Sequence, residues 1–284
     1  MLERILVPID GSDLSSAVFE QVRRVLLVKD AQVILVSVLP EDASEKTLIQ
    51  LESRLEAHRA SLRADGVRIA IKIVRGSDPA AKILEVADEV QPSLVAVATH
   101  GRSGVSRFVR GSVAERLLAA SPFPLLLANP MRLPEKAPLS FRRILVPLDG
   151  SETSAAVLPL VHDLARIYES EVVLLQVLEM PSAVMLGEPL AVEAAKGVQR
   201  AAREMAESWL GEMQQRLGGV KTRIMTAWGS PAATILDTAA SEGADLLAMT
   251  THGRSGLSRW VYGSVAELVL HEARCPLLVQ RTKE

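Results

Sequence analysis

One stretch of this chain occurs twice. Arg4-Ile5-Leu6-Val7-Pro8-Ile9-Asp10-Gly11-Ser12 returns as Arg143-Ile144-Leu145-Val146-Pro147-Leu148-Asp149-Gly150-Ser151, with only the apolar residue before the aspartate changed. A second stretch, Thr99 to Glu115, returns as Thr251 to Glu267 with three of its seventeen positions changed. Repeats this far apart are whole domains rather than solenoid modules. The total of 284 residues also suits two domains of roughly 100–150 residues each. The expected boundaries are 1–130 for the first copy and 141–284 for the second. Between them, 131–140 is a linker stiffened by Pro134 and Pro138.

Within each copy the hydrophobic period alternates between strand and helix. Ile5 to Val7 is a short apolar run, and Ser15 to Val28 carries Val18, Val22, Val25 and Leu26 at helical spacing. Val33 to Val38 is nearly continuous and β-branched, as a strand buried on both faces of a parallel sheet must be. A polar helix over 45–64, a strand over 67–74, a helix around Ala80 to Ala87, and a strand over 94–98 follow. A helix over 112–119 and a last strand over 124–128 complete the copy. This βαβαβαβαβ order implies an α/β fold: two repeated domains, each an open five-stranded parallel sheet with helices on both faces. Orders 2-1-3-4-5 and 3-2-1-4-5 both satisfy the pattern, and the second, which suits a nucleotide-binding half, is adopted here. The final strands, 124–128 and 276–279, are expected at sheet edges, where unpaired backbone invites a partner. Pairing of the two copies through them would make an internal pseudo-dimer.

Ligands of such sheets bind beyond the carboxyl ends of strands where the strand order reverses. Both repeated motifs lie there. Asp10-Gly11-Ser12 and Asp149-Gly150-Ser151 follow the first strand of their copies. The longer motif follows the fourth strand, and its Gly101, Gly104 and Gly111 let backbone N–H groups approach a ligand closely. Ser112 and Ser264 then open helices, whose first N–H groups and partial positive charge suit phosphate. Arg102, Arg107 and Arg110 add cations. The combination reads as a phosphate cradle. Other roles are open for the same residues. Ser112 with Glu115, and Ser264 with Glu267, fit a capping box that needs no ligand. Asp10 and Asp149 also suit a turn, and His100 and His252 fit hydrogen-bonded loop positions better than a catalytic role.

Charge announces no partner. With a net charge of −2 there is no general attraction for nucleic acid or anionic membrane, and neither is expected as a partner. Cys275 is the only cysteine, so no intramolecular disulfide forms, as in a reducing, cytoplasmic setting. No apolar run approaches the roughly 18 residues of a membrane span, and the N-terminal residues lead into a strand pattern rather than a signal peptide.

The residues resemble the universal stress protein family across nearly the whole chain, twice. Its nucleotide-binding members have an aspartate after the first strand and a loop of the form Gly-x-x-Gly-x9-Gly-Ser/Thr. Here Gly101 is followed after nine residues by Gly111-Ser112, and Gly253 likewise by Gly263-Ser264. The first glycine of that loop is replaced by Ala98 in one copy and Thr250 in the other. The resemblance implies ATP, with Mg as a candidate companion, as cofactor. It would set Asp10 and Asp149, beside Pro8 and Pro147, near ribose and adenine, and offer the backbone of Val38 and Val177 to the base. Gly101, Gly111, Ser112 and Val113, with Gly253, Gly263, Ser264 and Val265, would hold phosphates and ribose. It also implies a cytoplasmic, nucleotide-dependent regulatory or stress-response protein with an unidentified protein partner, an internal pseudo-dimer and room for homodimerisation.

No Gly-x-x-x-x-Gly-Lys-Ser/Thr loop is present, so an efficient P-loop NTPase is disfavoured, and no catalytic residue or metal ligand is assigned. Slow ATP hydrolysis or phosphoryl transfer through His100 or His252, and a nucleotide-free interaction scaffold, are the alternatives. The first copy is expected to bind at least as well as the second, because Ala98 crowds the cleft less than Thr250 and Arg110 stands where Tyr262 does. The copies differ most at Glu179 to Ala195, which reads either as a longer helix N-terminus or as a lid beside the cleft.

Overall fold

The continuous apolar runs at 5–7, 33–36 and 94–97 leave no polar face, so each must be covered on both sides. They form the centre of a parallel sheet. The computed structural model describes residues 2–11, 31–64, 67–99, 112–129, 140–179, 189–251 and 263–281, at 112 and 189–195 in backbone only. The helix expected over 15–28, all of the linker but Ser140, and the glycine-rich loops of 100–111 and 252–262 lie outside the described residues.

The chain divides into two compact units, one formed by residues up to Ser140 together with Arg274–Arg281, the other by Phe141–Ala273. The first contains β1 (Arg4–Pro8), β2 (Gln32–Leu39), α1 (Glu45–Ala64), β3 (Arg68–Arg75), α2 (Pro79–Val90), β4 (Leu94–Ala98), α3 (Ser112–Ala120) and β5 (Leu125–Ala128). These five strands are ordered β3-β2-β1-β4-β5, all parallel: Ile5 pairs with both Val33 and Leu94, Val33 with Ile69, and Val95 with Leu125. The order reverses between β1 and β4, as the 3-2-1-4-5 expectation requires. Ile5, Leu6, Leu35, Leu94, Leu117 and Leu126 are essentially inaccessible to solvent. β3 is half-buried and carries Arg68, Lys72 and Arg75, charges that discourage edge-to-edge pairing.

Local chemistry sets the helix ends. Asp78 caps α2 by accepting from Ala81 N at 3.2 Å, and Pro79 fits the first turn, where its missing N–H is not needed. Ala80, Ile83, Val86 and Ala87 form the buried stripe of α2, the spacing of an amphipathic helix.

The second unit repeats the plan with β6 (Arg143–Leu148), α4 (Glu152–Ala155), α5 (Leu158–Tyr168), β7 (Glu171–Leu178), α6 (Pro189–Arg216), β8 (Thr222–Trp228), α7 (Pro231–Ser241), β9 (Leu246–Thr250) and α8 (Ser264–Glu272). Its strand order is β9-β6-β7-β8, which restates the 4-1-2-3 neighbourhood of the first copy. Phe141 is fully buried and meets Tyr168 edge to face at 5.5 Å between ring centroids, a favourable aromatic geometry. The contrast after the second strands resolves partly: α6 already runs from Pro189 and has 28 residues against 20 in α1. From Pro189 onward the longer-helix reading holds, and 180–188 lie outside the described residues.

The last strand, β10 (Leu277–Gln280), lies in the first unit, antiparallel to β5, with Leu277 opposite Leu127 and Val279 opposite Leu125. β5 therefore has hydrogen-bonded neighbours on both sides. Its four residues are all buried, which suits a strand whose backbone would otherwise be an open apolar edge. Among the described residues no helix is long and apolar enough to cross a membrane.

Candidate functional site

Three strand ends meet in the second unit. Pro147 on β6 pairs with Leu175 on β7, and Leu145 pairs with Leu247 on β9. Parallel strands bring their carboxyl ends to one side, so Asp149, Val177 and Thr250 arrive together.

The turn after β6 is built by its own side chains. Asp149 Oδ1 accepts from Ser151 N at 3.0 Å and from Ser151 Oγ at 2.6 Å. Ser151 Oγ in turn accepts from Ser154 N at 3.1 Å and caps α4. Gly150 sits at φ +85°, and its counterpart Gly11 at φ +76°, a region where a Cβ crowds the following carbonyl. The repeated Asp-Gly-Ser therefore has a structural role in the second copy. Asp149 is a turn residue and lines the site as well. In the first copy Asp10 is half-buried, and Arg54 donates through Nη1 to the carbonyl of Gly11.

Across from this turn, α8 begins at Ser264. Its N-cap is Gly263, in extended conformation (φ −66°, ψ 149°), with no side-chain cap hydrogen bond. The capping box read from Ser264 and Glu267 does not form, because Ser264 already lies inside the helix and the capping position holds a residue without a side chain. Gly263 N donates to Thr251 O at 2.9 Å, and Gly263 O accepts from Glu267 N at 3.0 Å. The N–H groups of Ser264, Val265 and Ala266 have no acceptor inside the helix. Gly263 is not there for backbone freedom: its φ is ordinary, and an added Cβ would only touch Thr251 O at 3.5 Å. What the glycine leaves open is the space in front of those N–H groups.

That space is a cavity of about 450 Å³ lined by residues of all the elements just described, among them Pro147, Asp149, Val177, Thr250, Ser264 and Val265. Gly263 lines it too, so seven of the eight site residues expected in the second copy share one cavity; the eighth, Gly253, lies outside the described residues. Ligand cavities typically occupy ~300–1,000 Å³. Thr250, buried at 6% exposure, forms wall without filling the space. The charged residues described in the lining are Asp149 and Glu179, so among the described residues the feature that favours an anion is the helix terminus.

The sequence reading missed Gln176, Ser154, Pro231, Ile235, Met249 and Ala266 in the lining. Gln176 had a signal, as the one polar residue inside the apolar run Val172 to Leu178.

In the first unit, Pro8, Val38 and Ala98 are half-buried at the carboxyl ends of β1, β2 and β4. Asp10 follows β1, and Ser112 and Val113 open α3. The register puts all of them at one end of the sheet. Gly101 and Gly111 lie outside the described residues, as do His100, His252, Arg110 and Tyr262.

The universal stress protein family model matches this chain twice, over residues 1–129 and 140–281. The chain is 31% identical over 148 residues to the universal stress protein MJ0531 of Methanocaldococcus jannaschii, covering 49% of this chain and 81% of that protein. It is 28% identical over 215 residues to the universal stress protein Rv2005c of Mycobacterium tuberculosis, covering 72% of this chain and 66% of that protein. Among solved structures, a universal stress protein from Archaeoglobus fulgidus superposes with a TM-score of 0.69 at 19% identity, covering 99% of both chains. The protein PA1789 from Pseudomonas aeruginosa superposes with a TM-score of 0.74 at 16% identity, covering 99% of this chain and 92% of that one. At these identities the two structures bear on the fold alone. Through its two matches, which take in nearly every residue, the chain belongs to the universal stress protein family as a tandem, two-domain member.

Proposed function

We propose that this chain binds an adenine nucleotide, ATP with Mg²⁺ as its companion, and works in the cytoplasm as a nucleotide-dependent regulatory or stress-response protein. One observation carries the reading: seven of the eight residues expected in the second copy line a single cavity that faces a helix N-terminus lacking a side-chain cap. In this reading the phosphates meet the N–H groups of Ser264, Val265 and Ala266, where hydrogen bonding and the helix dipole both favour an anion. The base lies toward Val177 and Leu178 at the end of β7, and the ribose beside Asp149. Mg²⁺ on the phosphates offsets the carboxylates of Asp149 and Glu179. The first copy offers the same strand ends to a second nucleotide, through Pro8, Asp10, Val38, Ala98, Gly101, Gly111, Ser112 and Val113. Pairing of the copies as an internal pseudo-dimer belongs to the same reading, supported by the two matches of the family model, one to each copy.

Assay of nucleotide retained by the purified protein, followed by calorimetric titration with ATP, tests the proposal. Binding without turnover supports a switch, and sustained phosphate release would move the reading to a slow hydrolase. Absence of binding would leave an interaction scaffold.

A further inference from the structure

Among the described residues, one buried side-chain polar atom has no hydrogen-bond partner: Gln176 Oε1. Gln176 is 6% exposed on β7, next to Val177, and lines the cavity of the second unit. An unsatisfied buried acceptor is costly, and buried polar groups in native proteins nearly always find partners. The corresponding position of the first copy, by the spacing of the repeat, is Ser37. It is satisfied internally, its Oγ donating to Ile9 O. The two copies thus differ at a strand position facing the end of their first strand: one closes on itself, and the other keeps an amide acceptor at a cavity wall.

We infer that Gln176 is a specificity-determining residue of the second cavity, accepting a hydrogen bond from an N–H donor on the edge of the bound base. The inference rests on the nucleotide reading and adds to it a selectivity that the first copy lacks. The buried atom without a partner is Oε1, so in this orientation the amide presents an acceptor to the base. The donor is the group at position 6, where a 6-aminopurine carries an N–H₂ donor and a 6-oxopurine an acceptor. A site built around a hydrogen bond rejects an analogue that leaves its polar group unpaired, so adenine is favoured over hypoxanthine.

The test is photolabelling of the full chain with 8-azido-ATP, in competition with ATP or ITP, read separately on the peptides spanning 167–196 and 30–46. In wild type ATP should protect the 167–196 peptide about tenfold better than ITP, the scale of one hydrogen bond made or lost. In Gln176→Met, which keeps the shape and removes the acceptor, that ratio should fall toward one while the 30–46 ratio stays unchanged. Without nucleotide the variant should melt no lower than wild type, since an apolar replacement relieves an unpaired buried group. Labelling of 167–196 with an ATP/ITP ratio that Gln176→Met leaves intact would overturn the inference alone. A drop of several degrees in the melting temperature of the variant would do so too, by showing that the amide supports the fold. No ATP-protected labelling of 167–196 in wild type would overturn the nucleotide reading of this cavity with it.

Discussion

Gly263→Asp separates the stability of α8 from its use as an anion site. The capping position is already extended, at φ −66° and ψ 149°, the conformation in which N-cap residues sit. The new Cβ meets nothing nearer than Thr251 O at 3.5 Å, so the side chain enters without strain. An aspartate there accepts from the first-turn N–H groups, worth a few tenths of a kcal/mol over glycine, and its charge complements the helix dipole by about 0.3–1 kcal/mol. The free protein should therefore melt at or slightly above the wild-type temperature. Nucleotide binding should move the other way. The carboxylate occupies the N–H groups that the phosphates need, and a like charge about 4 Å away costs up to ~4 kcal/mol at an effective dielectric constant near 20. A net loss of about 2–4 kcal/mol corresponds to roughly 30- to 1,000-fold weaker binding. Gly263→Asn, a neutral cap, should lose only about tenfold, the hydrogen-bonding share. Differential scanning calorimetry reads the stability. Titration calorimetry reads one class of site weakened, and ATP-protected photolabelling of 167–196 assigns it to the second copy. A folded Gly263→Asp protein whose second copy binds ATP as tightly as wild type would show that the phosphates do not lie at α8.

The Asp-Gly-Ser turn and the start of β7 supply two further tests. Gly150→Ala forces a Cβ onto a backbone at φ +85° and should destabilise the second unit by about 1–2 kcal/mol; an unchanged urea midpoint would refute the need for glycine there. Glu171 accepts from Arg143 Nη2 at 2.9 Å and faces Lys221 at 3.4 Å, and the hydrogen bond from Arg143, followed by Lys221, holds its carboxyl below the usual carboxylate range. Because the folded-state value is depressed, the stabilisation is complete above the ordinary carboxylate pKa and is lost as the pH falls through the folded one. Glu171→Gln should thus melt below wild type at pH 7 and converge with it toward pH 3, and melting curves that stay parallel would contradict the assignment.

Most of the fold is written in the period of the sequence. The apolar runs at 33–36 and 94–97, and the stripe from Ala80 to Ala87, announce buried strands and an amphipathic helix, and the repeat announces two units. The pairing of β10 with β5 was legible as two apolar edges in need of a partner, but its antiparallel direction and register were not, since four apolar residues carry no signal for either. At the site, the motif spacing picked out Pro147, Asp149, Val177, Thr250 and the start of α8. The sequence could not distinguish Gly263 from Ser264 as the capping residue, because that depends on one backbone torsion at the helix entrance. Nor could it show that Asp149 holds the turn through Ser151, since a carboxylate two residues before a serine suits turn and ligand alike. Gln176 was visible as a polar interruption in an apolar strand, but its missing partner is a property of the packed structure.

On the function proposed above, the conjunction of three strand ends with the uncapped start of α8 makes an adenine-nucleotide site. Equilibrium titration of the full chain with ATP, with and without Mg²⁺, tests it most directly. Saturable binding should appear well below millimolar ATP, tighter with Mg²⁺ because the described charges of the second cavity are the carboxylates of Asp149 and Glu179. A folded protein that gives no saturable binding at millimolar ATP, under either condition, would contradict the account.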